Sequence, residues 1–112
     1  MILAILLFCI AAVLGSFILI AIFKNKPTPP LAVFSHGVFA GLGLLVMVTY
    51  VIVGHTSVLV LVSLAFFILA ALGGLTLLTI DMSQKPIPKI LAILHPAAAV
   101  TGLVLLIIYF FK

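Results

Sequence analysis

Four stretches of this chain carry no charged side chain: Ile2 to Phe23, Leu31 to Val53, Val58 to Ile80 and Ile90 to Phe111, each 22 or 23 residues long. An α-helix needs about 20 residues to cross the roughly 30 Å hydrocarbon layer of a bilayer, so each run is long enough to span it with modest tilt. Spanning β-strands would alternate in polarity, and these runs do not. With 68% hydrophobic and 5% charged residues, the chain has too little polar surface to wrap a water-soluble globule. The expected fold is therefore all-α integral membrane, with residues 1–112 forming a single transmembrane domain. Any chemistry must lie within the bilayer or at its edges. The first run has no basic segment before it, and it is read as a retained helix, not a cleaved signal.

Sliding the sequence on itself by 59 positions superposes its second half on its first, with thirteen identities over the 53 overlapping positions. Lys26, Pro27, Pro29 and His36 fall on Lys85, Pro86, Pro88 and His95, and Ala40, Gly43, Leu44 and Tyr50 fall on Ala99, Gly102, Leu103 and Tyr109. Upstream, Phe8, Ala11, Ala12, Gly15 and Leu19 coincide with Phe67, Ala70, Ala71, Gly74 and Leu78. Leucines and alanines match by chance in so apolar a chain, but a shared lysine, two prolines, a histidine, two glycines and a tyrosine do not. The chain reads as a tandem repeat of two helical hairpins, residues 1–53 and 60–112. Each hairpin returns to the side on which it began, so both insert in one orientation. The four-helix bundle should then have a pseudo-two-fold axis along the membrane normal.

Positions retained in both copies should face that axis. In the first helix these are Phe8, Ala12, Gly15 and Leu19, and in the second His36, Ala40, Gly43 and Tyr50. Small residues four apart, as in Ala11 with Gly15, Gly37 with Gly41, Ala70 with Gly74 and Ala98 with Gly102, permit close helix approach in lipid or leave space for a flat ligand.

Lysine placement sets the expected topology. Lys24 and Lys26 precede the second run, Lys85 and Lys89 precede the fourth, and the middle connection Gly54–Ser57 has none. Positive loops stay in the cytoplasm, which places both termini outside, with Lys112 the one opposing charge; a bacterial inner membrane is the expected setting. The net charge of +4 follows from topology and is no sign of nucleic-acid binding.

His36 and His95 are each the sixth residue of their run, about 9 Å inside the helix start and on the same side of the membrane. An ionisable side chain within the bilayer calls for a partner, and for each histidine the natural partner is the other. Two neutral imidazoles across a two-fold axis are the ligand set that an iron porphyrin takes on its two faces. The expectation is one bis-histidine haem b near the cytoplasmic side, carrying single electrons. In this reading His36 and His95 are the metal ligands, and Ala40, Gly43, Ala99 and Gly102 face the porphyrin. Lys26 and Lys85, with Lys24 and Lys89, lie where they can pair with propionates, close to the helix N-termini. Phe8 and Phe67 fall toward the outer half and fill the core there.

With this placement the chain resembles four-helix membrane cytochromes of the b type, including the cytochrome b561-like group, in architecture and in holding histidines on different helices. The pair His95-Pro96 matches histidine-proline pairs in some of them, whereas the second helix has His36-Gly37. It also resembles small bacterial four-helix membrane proteins with histidine-glycine in the second helix and a Pro-x-Pro loop before the fourth. The resemblance implies electron exchange with a quinone or a membrane redox partner.

Two alternatives use the same residues: a non-enzymatic scaffold or accessory subunit whose histidines only pack, and a transition-metal or proton relay at the histidine pair. His55 is read as a loop residue, and Tyr50 and Tyr109 as interfacial anchors. Cys9, the one cysteine, excludes an internal disulfide. No phosphate-binding glycine loop, zinc-protease motif or serine elbow is present. The single acid, Asp81 at the end of the third run, disfavours a proton-coupled exporter.

Overall fold

The computed structural model describes all 112 residues. It is a bundle of four helices: α1 (Ile2–Phe23), α2 (Pro30–Ile52), α3 (Val58–Met82) and α4 (Lys89–Phe111). Each is long and apolar enough to cross a membrane. The bundle measures 42 Å along its axis, matching the roughly 40–45 Å of a bilayer with its headgroups. The expected helix bounds hold to within a residue or two, and α3 runs on through Asp81 to Met82.

Local chemistry ends and starts these helices. Asn25 and Gln84, themselves repeat counterparts, take left-handed backbone angles (φ 54 and 57). The next amide reaches back five residues, from Lys26 to the Ala21 carbonyl and from Lys85 to Ile80. This is the Schellman closure, which satisfies carbonyls that would otherwise be left unpaired. Gly54 (φ 112) ends α2 in the same way, with His55 N–H on Tyr50. Pro29 and Pro88 then stand at the N-caps of α2 and α4, where a missing N–H costs nothing. The Ser57 side chain accepts the Val60 amide to open α3.

Within each hairpin the helices pack along their length, α1 on α2 and α3 on α4; α1–α4 and α2–α3 contacts are sparser. The diagonal pairs, α1 with α3 and α2 with α4, meet only through side chains. Three of these meetings define the axis. Phe8 stacks on Phe67 with ring centres 3.8 Å apart and planes 7° from parallel. His36 faces His95, and the Tyr50 and Tyr109 hydroxyls share a hydrogen bond of 2.8 Å. In each case a residue meets its own counterpart in the other repeat, as only residues on a two-fold axis can.

Four of the five fully buried side chains form repeat pairs, Met47 with Leu106 and Ala4 with Ser63; the fifth, Val60, is the counterpart of half-buried Met1. Large apolar residues such as Leu31, Phe34, Leu45, Leu72 and Phe111 lie outward, where lipid covers them. On α1 the inward stripe differs by one residue from the expected one. Ala11 is buried, Ala12 is exposed, and Gly37 and Gly41 face open space instead of a helix seam.

Ser63 breaks the symmetry in the core. Its hydroxyl donates to the Gly102 carbonyl at 2.7 Å, whereas Ala4 leaves the equivalent Gly43 without such a donor. Because alanine already serves in that seat, Ser63→Ala should lower stability by only about 0.6 kcal/mol, the average for an interhelical hydrogen bond in a membrane. Thermal unfolding in detergent would show a drop in midpoint of a few degrees at most.

Candidate functional site

His36 and His95 are each the seventh residue of their helix, at equal depth below the lysine-bearing end. Their ring centres are 6.0 Å apart and their planes cross at 81°. Each ring is tied by Nδ1 to a backbone carbonyl at 2.7 Å, His36 to Ala11 and His95 to Ala70. A carbonyl oxygen can only accept, so Nδ1 carries the proton in both rings. Each neutral ring then presents Nε2 as a bare lone pair. This arrangement orients metal-binding histidines and raises the basicity of the ligating nitrogen.

The carbonyls are available because α1 and α3 come close to the rings. A Cβ built on Gly15 would lie 3.1 Å from His36 Cε1 and 3.2 Å from its Nδ1. On Gly74 it would lie 2.9 Å from His95 Cε1. These two glycines are the seats of the imidazoles. Gly73 is adjacent but not critical, since its Cβ would meet His95 at an ordinary 3.7 Å.

A paired prediction follows. Gly74→Ala should push the His95 ring away from the Ala70 carbonyl and lower thermal stability, while Gly73→Ala should be neutral or stabilising, since alanine exceeds glycine in a helix by about 1 kcal/mol. Comparing the two unfolding midpoints checks it. Equal effects would show that the ring has room to move.

The other expected site residues are placed as follows. Gly43 and Gly102 do not border an open slot. A Cβ on Gly43 would lie 2.8 Å from the Phe8 ring, and one on Gly102 would lie 3.2 Å from the Phe67 ring. They seat the phenylalanines, because seven residues beyond each histidine is about 10 Å deeper, the level at which Phe8 and Phe67 meet. Ala40 and Ala99 are half-buried. Lys26 and Lys85 are exposed in their loops, at the end of the bundle nearer the histidines. Tyr50 and Tyr109 lie toward the opposite end, and beyond them His55 stacks on Tyr50 with ring centres 3.9 Å apart.

The pair has no third histidine, cysteine or carboxylate beside it. Its chemistry is that of two neutral nitrogen donors on facing helices. Two imidazoles bonded to one metal at about 2 Å each have ring centres roughly 6 Å apart, which is the spacing found. The backbone beside the rings belongs to Ala11 and Gly15 on α1 and to Ala70, Gly73 and Gly74 on α3; Leu14, the half-buried counterpart of Gly73, is the one large residue among the equivalent positions. The donor set, two neutral imidazole nitrogens on facing helices, suits a metal that takes two nitrogen ligands. Compared with protein-family models, curated proteins and solved structures, the chain finds no match.

Proposed function

We propose that the chain is a membrane haem b protein in which His36 and His95 would hold the iron, on the lysine-bearing side of the bilayer. The observation that carries this reading is the facing pair 6.0 Å apart, each ring donating Nδ1–H to a carbonyl and so presenting Nε2. Haem would supply reversible one-electron chemistry. The chain's own residues do the rest. Ala11 and Ala70 hold the imidazoles in one tautomer, and Gly15 and Gly74 let α1 and α3 approach. Lys26 and Lys85 offer cations for propionates, and the Phe8–Phe67 stack excludes water from the axis beyond. A quinone or a membrane redox partner is the proposed source or acceptor of electrons. By the lysine distribution, both termini lie outside the cytoplasm, and the resemblance to small bacterial membrane proteins suggests a bacterial inner membrane as the setting.

A bare transition-metal site at the same pair is the second reading, favoured by the match between the ring spacing and two metal–nitrogen bonds. Absorption spectra of the protein, purified in detergent after expression with haem precursor, separate the two. A sharp Soret band, with resolved α and β bands after dithionite, is expected for haem. A flat visible spectrum that persists on haem titration overturns that assignment.

A further inference from the structure

The repeat makes an internal comparison possible between the two inter-hairpin clefts at the lysine-bearing end. Between α2 and α3 lies a cleft of about 540 Å³ bordered by Thr28, Val33, Phe34, Gly37, Leu78 and Asp81. Its side chains are apolar apart from the Asp81 carboxylate and the Thr28 hydroxyl, and no cation lines it. Asp81 is the only acidic residue of the chain, and its Oδ2 accepts from Thr28 at 2.7 Å. At the equivalent positions between α4 and α1, Asp81 is replaced by Ile22 and Thr28 by Ile87. There the chain supplies its own ammonium. Lys89, the counterpart of Pro30, holds Nζ 5.8 Å from the ring centre of Phe23, the counterpart of Met82. The α4–α1 side therefore has a built-in cation and no acid, and the α2–α3 cleft has an acid and no cation in its lining.

We propose that the α2–α3 cleft binds a membrane phospholipid with a primary ammonium headgroup, in the leaflet on the lysine-bearing side. The ammonium sits at Asp81, where a charge-assisted hydrogen bond is available. An acyl chain lies along Val33, Phe34 and Leu78. Gly37 keeps the floor clear, since a Cβ there would meet nothing within 4 Å. Lys24, four residues before Thr28 and outside the cleft lining, is the cation left for the lipid phosphate once Lys26 and Lys85 are assigned to propionates, so acid and base flank the mouth as a zwitterion requires. A quaternary ammonium has no N–H to donate to Asp81, and a glycerol headgroup has no positive charge to offer it.

The test is native mass spectrometry of the full chain in detergent, exposed to an equimolar mixture of phosphatidylethanolamine, phosphatidylcholine and phosphatidylglycerol. The wild-type chain should retain phosphatidylethanolamine about tenfold over the other two, the worth of one charge-assisted hydrogen bond. Asp81→Asn, which still accepts from Thr28, should erase the preference. Pro30→Lys, which places a chain ammonium where the sister cleft has Lys89, should do the same with the carboxylate intact, and it decides the matter if Asp81→Asn does not fold. Equal retention of the three lipids, preference for phosphatidylglycerol, or an undiminished preference in Pro30→Lys would overturn the proposal. None of these readouts depends on a haem.

Discussion

His36→Ala and His95→Ala, made one at a time, are each expected to remove the six-coordinate haem spectrum and to lower haem retention through purification by tenfold or more. Outer-shell partners of a metal ligand are commonly worth about 10–100-fold in affinity, and a direct ligand is worth no less. The two variants should behave alike, since each ring has the same support: one carbonyl at 2.7 Å and one glycine seat. Both should stay folded, because each histidine contributes one interhelical hydrogen bond to a bundle packed along its whole length. Circular dichroism and monodisperse elution would check that. A spectrum that survives either substitution would place the haem elsewhere, and metal retention without porphyrin absorbance would move the assignment to a bare metal site.

The second large effect belongs to the core. Along one line through the bundle lie the Gly43 backbone, the Phe8 ring, the Phe67 ring and the Gly102 backbone, with the rings 3.8 Å apart. Nothing in this four-layer column has slack. Gly43→Ala would place a methyl 2.8 Å from Phe8 Cε1 and 3.0 Å from its Cζ, so the whole ring must move, and behind it stands Phe67. We expect a loss of about 3 kcal/mol, the upper part of the usual range for overpacking. Adding Phe8→Leu should recover part of that loss, because a smaller side chain fits beside the new methyl. The double variant should therefore be more stable than the sum of the single changes implies, a coupling that unfolding midpoints for the four species would measure. Strict additivity would mean that the column relaxes freely.

The helices and the two-fold axis were legible in the sequence because both rest on signals that burial in lipid enforces: charge-free runs of spanning length and residues retained at a fixed offset. His36 and His95 were legible for the same reason, as one polar residue at one depth in each copy. Their carbonyl partners were not. Any residue can offer a carbonyl, so Ala11 and Ala70 signal only smallness, and the periodicity of α1 could not choose between Ala11 and Ala12 as the inward residue. Gly43 and Gly102 were legible as axis-facing positions and were read as bordering a porphyrin, but what approaches them depends on the stagger of neighbouring helices, which no single helix encodes. Tyr50 and Tyr109 were read as interfacial anchors, and their shared hydrogen bond depends on how far their helices converge. The bond from Thr28 to Asp81 lay outside any repeat argument, since neither residue has a like counterpart.

The Phe8–Phe67 stack also governs how a membrane voltage is distributed along the bundle. Voltage falls most steeply across dry, poorly polarisable material, and the stack is the dry segment between two polar levels, the histidines on one side and the tyrosines on the other. A charge exchanged at the histidine level with the lysine-bearing side, about 9 Å inside the helix start, crosses about a third of the roughly 30 Å layer. One passed through to the tyrosine level crosses most of it, at about 2.3 kcal/mol per elementary charge for each 100 mV. Were the pair to hold a haem as proposed, the side from which electrons arrive would decide how much of the energised state of the membrane is felt.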